Sequence, residues 1–230
     1  MKVRIKFSKT GALVYIGHLD VMRYFQKLFR RADIPISYSE GFSPHQILSF
    51  SHPLPLGMES EGEYADIELN SEIATNEAIN RMKDESVPEI EILSFKQLPD
   101  RCENAMASVR AARYTVEFIE QCPFDNLREA ISCLMEKESI VVLKTTKKST
   151  KEEDIRPYIY ELYINDDNKI EMLISSGSIH NLKPELVMKA MGDIFNIDID
   201  ETMLSMKRID QYTEMDNKLV SLNDIGKDIL

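Results

Sequence analysis

Polar and apolar residues alternate from the start of the chain. In KVRIKF (2–7) every second position is apolar, the period of a strand with one buried face. After TGALVY, a turn and a short extension, the period changes. Leu19, Met22, Phe25, Leu28 and Phe29 recur at helical spacing, which predicts a helix over 18–33 with those residues on its core face. Pro35 ends it, because the residue before a proline is pushed out of the helical region. Short extended pieces follow at 36–39 and 46–52. EYADIELN (63–70) reads as a strand, with Tyr64, Asp66 and Glu68 on one face and Ala65, Ile67 and Leu69 on the other. TNEAINRMKDE (75–85) reads as a second helix opened by Thr75 as N-cap, and EIEILSFKQL (89–98) as another strand.

The second half repeats this order. RYTVEFIE (113–120) predicts a strand and DNLREAISCLMEKES (125–139) a helix capped by Asp125. IVVLKTT (140–146), IYELYIN (159–165) and KIEMLIS (169–175) predict strands. KPELVMKAMGDIF (183–195) predicts a helix with Pro184 in its first turn, where a missing N–H costs little. MKRIDQYT (206–213) predicts a last strand. The expected fold is therefore α+β: two tandem ferredoxin-like (βαββαβ) domains with antiparallel sheets, over 1–110 and 111–213, and a loosely attached tail over 214–230. The element order carries this duplication; no residue-level repeat accompanies it.

Composition narrows the classes. Apolar residues make up 43% of the 230, enough for a packed core. No apolar run approaches the length of a membrane span, and the N-terminus lacks a signal-peptide pattern, so a cytoplasmic protein without a membrane partner is expected. Cys102, Cys122 and Cys133 are scattered and without metal spacing, so neither a disulfide framework nor a metal or cofactor site is indicated. Cys133 falls on an apolar helical stripe and reads as core filling.

Charge is uneven. The net of −11 argues against generic nucleic-acid binding, but residues 1–50 carry eight Lys/Arg against three acids, a net of +5, leaving −16 for the remainder. On the first helix Arg23, Lys27, Arg30 and Arg31 share one face, opposite the apolar stripe, and Asp20 stands within pairing distance of Arg23. That face suits phosphate, since arginine offers planar bidentate contacts; a merely solvated basic face is the plainer alternative. A second basic stretch, KTTKKSTK (144–151), holds four lysines and no acid.

The segment 38–64 gathers turn chemistry and candidate site residues: two of the four histidines and three of the eight glycines. His45 follows Phe42-Ser43-Pro44 there, and His18 opens the first helix. Two histidines can give and take a proton in one turnover, which makes both candidate catalytic residues; each alone can equally be a hydrogen-bonded structural group. His52 and His180 read as loop residues.

Many of these residues keep a particular spacing: Phe7-Ser8-Lys9-x-Gly11, His18-Leu19-Asp20-x-Met22-Arg23, Arg30-Arg31, Tyr38-Ser39-x-Gly41-Phe42-x-Pro44-His45, Ser49-Phe50, Pro55-Leu56-Gly57, Ser60 and Glu63-Tyr64. This pattern, over roughly residues 3–70, resembles the radical SAM-linked domain family, a bacterial family of unknown function. Asp154-Ile155-Arg156-Pro157-Tyr158 and Lys183-Pro184-Glu185 resemble it more weakly, and Gly17 departs from the serine more usual before His-Leu-Asp. The resemblance implies a context: such domains are fused to, or encoded beside, B12-binding radical SAM proteins, near a ribonuclease of the RNase E/G type. This chain has no Cys-x-x-x-Cys-x-x-Cys, so the radical chemistry would belong to a separate partner.

Three functional readings follow. The first is an accessory module that binds RNA or another anion for a radical SAM enzyme in RNA modification or processing. Its binding residues are Lys9, Asp20, Arg23, Lys27, Arg30, Arg31, Tyr38, Ser39, Gly41, Phe42, Ser43 and Arg156. The second is a protein-interaction domain that docks the radical SAM partner. The third is a metal-independent RNA endonuclease with His18 or His45 as general base.

Overall fold

The computed structural model describes residues 1–145 and 150–230, so the centre of the basic stretch 144–151 lies outside the described residues. In chain order the elements are β1 (Lys2–Lys9), α1 (His18–Arg31), β2 (Leu48–Phe50), β3 (Glu59–Glu68), α2 (Thr75–Glu85), β4 (Ile92–Gln97) and α3 (Ala105–Ser108). Then come β5 (Ala111–Phe118), α4 (Leu127–Met135), β6 (Val141–Thr145), β7 (Thr150–Asp154), β8 (Ile159–Ile164) and β9 (Ile170–Ser175). The chain finishes with α5 (Pro184–Ile194), β10 (Leu204–Met215) and β11 (Lys218–Ser221). The protein is mixed α+β, with five α-helices among the described residues and mostly antiparallel strand pairing. It divides into two compact units, Met1–Arg110 with Arg208–Leu230, and Ala111–Lys207.

In the first unit β1 lies between β4 and β3, antiparallel to both, and β2 pairs antiparallel with β3. The alternation in β1 has the expected effect: Val3, Ile5 and Phe7 are buried in the core, joined by Ala65 and Ile67 of β3. From α1, Val21, Phe25, Leu28 and Phe29 complete that core, and Phe25 packs against Phe7 and Phe50 at centroid distances of 4.5 and 5.5 Å. Leu19, expected on this face, is 59% exposed, and Val21 takes its place. The reason is angular: at 3.6 residues per turn Leu19 lies outside the arc that holds Val21, Phe25, Leu28 and Phe29. α1 ends at Arg31, two residues before Asp33 adopts φ 50.

Two expected caps move. The N-cap of α2 is Ala74; the Thr75 hydroxyl instead donates to the Phe95 carbonyl at 2.7 Å and accepts from Ile229 N–H at 2.9 Å. The N-cap of α4 is Asn126, not Asp125, and its side chain accepts from Glu129 N–H.

Residues 214–230, expected as a tail, are part of the first unit. β11 pairs antiparallel with β10, and Leu222 is fully buried with Tyr64, Ala105 and Val109. Lys227 and Gln97 exchange both backbone hydrogen bonds, at 2.8 and 3.0 Å. β10 contributes to this unit from Arg208 onward. β10 comes so close to β3 that a Cβ on Gly62 would stand 2.5 Å from the Asp210 Cα.

In the second unit β9 pairs antiparallel with β5 and with β8, and β5 lies between β9 and the start of β10, where Ile119 N–H donates to the Met203 carbonyl. α4 and α5 bury Ala130, Ile131 and Leu134, and Val187, Met188 and Met191. β6 and β7 form a separate antiparallel hairpin.

Candidate functional site

The predicted site residues of the first unit fall into two separate places. The first is a groove built by α1 and the 38–46 loop. The loop is closed at its base: Ser39 N–H donates to the His45 carbonyl at 2.8 Å, and His45 N–H donates to Ser39 Oγ at 3.0 Å. Ser39 Oγ also lies 2.8 Å from His45 Nδ1. A hydroxyl can donate or accept, so it holds the ring in either tautomer and leaves Nε2 for a ligand. Gly41 turns the loop at φ 108, a conformation other residues rarely adopt. Next to it Phe42 is fully exposed, at the tip of a loop with no apolar surface to cover it.

Gln46 stands at the floor. Its side chain is 6% exposed, and Nε2 donates to the Gln26 carbonyl at 3.3 Å and to the Tyr38 hydroxyl at 3.4 Å. The groove has a volume of about 240 Å³ and is lined by Gln26, Arg30, Tyr38, Pro44, His45 and Gln46. Tyr38 is 49% exposed there, so its ring is partly available to a ligand. A guanidinium, an imidazole, an accessible aromatic ring and a buried carboxamide thus share one place, with Phe42 exposed on the same loop.

The second place is a cavity at the start of α1, lined by Phe7, Lys9, His18, Phe50, Ser51 and Glu63 among others. Its volume of about 20 Å³ gives room for little more than a water molecule. Lys9 is 4% exposed and donates to the Ile16 carbonyl at 3.1 Å. Burial holds its pKa below the usual lysine value; nearby Glu63 opposes the shift and Arg208 adds to it. Arg208 is fully buried and donates Nε to Glu63 Oε1 at 3.0 Å and Nη2 to the His52 carbonyl at 3.0 Å. Burial, then Arg208, lowers the His52 pKa below its ordinary value. His18 packs edge-on against Phe50 at 5.4 Å. This is a structural charge cluster with a small void, too tight for a nucleotide.

His18 and His45 therefore line different pockets and are not brought together. Of the basic face, Arg30 reaches the groove. Arg23 pairs with Asp20 at 3.1 Å, and Arg31 pairs with Glu85 at 3.4 Å, both exposed. Lys27 is exposed. Ser43 and Gly41 are exposed in the loop beside Phe42. Arg156, expected to bind, belongs to the second unit. It spends its guanidinium on the carbonyls of Met135, Lys137 and Ile159, at 3.1–3.2 Å, where it closes the C-terminal end of α4. Asp154 of the same motif accepts N–H bonds from Ile140 and Arg156, which lower its pKa. His180, expected as a loop residue, stacks on Tyr158 at 3.4 Å and meets Glu153 at 2.6 Å.

Sequence reasoning missed Gln46, Glu63 and Arg208. Gln46 follows His45 directly and carries no charge or period to mark it. Arg208 sits in a predicted strand whose face could not be assigned. Among the described residues no group of three His, Cys, Asp or Glu side chains could hold a metal ion. No helix among them is long and apolar enough to cross a membrane.

Fold and groove together define a two-unit mixed α+β protein whose first unit presents aromatic, basic and amide groups around one surface groove. Residues 2–184 match the family model described as an uncharacterized protein conserved in bacteria (DUF2344), and the chain belongs to that family. A comparison with curated proteins finds no match.

Proposed function

We propose that this protein is an accessory RNA-binding module, holding single-stranded RNA at the 38–46 groove while a separate radical SAM enzyme performs the modification or processing. The observation that carries the reading is the full exposure of Phe42 on the loop whose neighbouring residues Tyr38, Pro44 and His45 line the groove with Arg30. An exposed phenyl ring at a loop tip costs solubility and gains nothing for the fold. Beside an arginine it suits RNA, because unpaired bases stack on aromatic faces while cations meet the backbone. The net negative body is compatible with this: the first 50 positions hold only three of the 39 acids, and α1 presents Arg23, Lys27, Arg30 and Arg31 exposed on its outer face. The radical SAM partner is supported by the resemblance of residues 3–70 given above. Binding is favoured over cleavage because His45 is the one imidazole lining the groove among the described residues.

We further propose that each unit is ferredoxin-like. In support, the first unit runs β1-α1-β2-β3-α2-β4 with strand order β4-β1-β3-β2. The second runs β5-α4-β8-β9-α5-β10, with the β6–β7 hairpin inserted, and has order β10-β5-β9-β8. Both are the order fourth-first-third-second of the split βαβ plan.

The test is fluorescence anisotropy with a labelled single-stranded RNA at low and at higher salt. Binding is expected at low salt and should weaken as salt rises, since phosphate neutralisation releases counterions. Phe42→Ala should lose about 1–3 kcal/mol, the worth of one stacked base, and Arg30→Glu should weaken binding further. No binding at low salt, or affinity untouched by both substitutions, overturns the reading.

A further inference from the structure

The exposed side chains that line the 38–46 groove are hydrogen-bond donors. Arg30 is exposed and uses only Nε within the protein, on the Gln26 carbonyl at 3.3 Å, which leaves both Nη groups for a ligand. Gln46 Nε2 donates to the same carbonyl and to the Tyr38 hydroxyl. The hydroxyl therefore accepts from Gln46 and keeps its own proton to donate. Through Gln26 and Gln46 these bonds bring the guanidinium and the hydroxyl to one place. His45, exposed and next to Gln46 in the chain, adds a third group. With the Ser39 hydroxyl donating to Nδ1, Nε2 carries the ring proton. No carboxylate lines the groove among the described residues, and Glu40, the one acid of the 38–46 loop, is not part of the lining.

We propose that the groove seats a phosphate monoester, the terminal phosphate of an RNA chain, in preference to a phosphate within the chain. The proposal rests on the RNA reading above and names the part of the RNA that enters. Arg30 gives a bidentate pair of bonds, and His45 Nε2 and the Tyr38 hydroxyl give one each. An internal phosphate offers two terminal oxygens and a single negative charge. A terminal phosphate offers three oxygens and about 1.5–2 negative charges at neutral pH, and so matches a set of donors without an acid better. Size agrees with this. The groove of about 240 Å³ is smaller than the about 300–1,000 Å³ of sites that enclose a drug-sized ligand, so it suits one end group and not a run of nucleotides. Phe42, exposed on the same loop, is left for a base further along the chain.

The experiment uses the full chain and one single-stranded RNA, labelled at an internal base, in three forms: with a 5′-phosphate, with a 3′-phosphate, and with hydroxyls at both ends. At least one phosphorylated form should bind about tenfold more tightly than the hydroxyl form, the worth of a hydrogen bond to a charged group. Which form it is identifies the end that enters. A hydroxyl-ended oligomer longer by one nucleotide adds an internal phosphate instead and should gain little. Arg30→Gln and His45→Asn, both at exposed positions, should each remove most of the preference. Arg23→Gln, on the same helix but outside the groove, should weaken all forms alike and keep it. Equal binding of the three forms, or an equal gain from the longer oligomer, overturns the terminal-phosphate site while the RNA reading stands. So does a preference that survives Arg30→Gln and His45→Asn, or one that Arg23→Gln removes as fully. Failure of every form to bind overturns both.

Discussion

Replacing Glu63 or Arg208 by methionine should destabilise the first unit severely, while replacing both should not. The two residues are 8% and 0% exposed, and Arg208 directs Nε and Nη2 at the same carboxylate oxygen. Either single change strands a charge in the interior, which costs about 3–5 kcal/mol. For a chain of this length each kcal/mol moves the melting point by about 2–4 °C, so a loss of about 6–20 °C is expected. Arg208→Met should be slightly worse than Glu63→Met, because the His52 carbonyl also loses its donor. The double variant, two flexible apolar side chains of similar reach, should recover most of the loss, since the pair's desolvation offsets much of its attraction. Calorimetry on the four proteins closes a double-mutant cycle. Single variants within about 1 kcal/mol of the native protein would sink the argument. So would a double variant as unstable as the sum of the singles.

Two further outcomes follow from the same unit. Gly62→Ala should lower the urea midpoint, because its Cβ would meet the Asp210 Cα at 2.5 Å and the Ile209 carbonyl oxygen at 2.7 Å. Neither atom can rotate away, so the cost is about 1–3 kcal/mol; an unchanged midpoint refutes the close approach of β3 and β10. Acidification should weaken the fold through His52, whose pKa lies below the ordinary value of 6.5. As pH falls through 6.5 the unfolded chain takes up a proton that the partly buried ring refuses, so stability declines until the lower folded-state value is reached. Thermal unfolding between neutral and mildly acid pH should show a shallower decline in His52→Asn than in the native protein. Identical slopes would rule the His52 contribution out.

Period was the strongest signal in the sequence, and where period decides structure the reading needed little correction. β1 and the core face of α1 follow directly from alternation and helical recurrence, with Leu19 and Val21 exchanged at the first turn. Caps were less legible. Thr75 has the right chemistry for an N-cap, but its hydroxyl bonds to Phe95 and Ile229, partners that no local pattern reveals. The last residues were illegible for the same reason. Lys218–Ser221 is only four residues long, and its membership in the first unit depends on Leu222 and Lys227 finding partners more than 100 residues away. Neighbours distant in sequence leave no trace in a local window.

The candidate site divides along the same line. Tyr38, Phe42 and His45 sit in one loop, and Arg30 lies one helix before it, so their meeting could be guessed from turn chemistry and helix spacing. Lys9 and His18 could not be assigned without the fold, because what decides their role is the size of the space around them. A void of about 20 Å³ makes Lys9 a buried structural cation, whereas the groove of about 240 Å³ leaves His45 room to meet a ligand. Gln46 carries the argument furthest. As an uncharged residue between His45 and Ile47 it gives no signal at all, and only the fold shows its Nε2 turned to the Gln26 carbonyl and its Oε1 buried. Charge and aromaticity are displayed by the sequence, whereas the direction in which a buried amide points is a property of the folded chain.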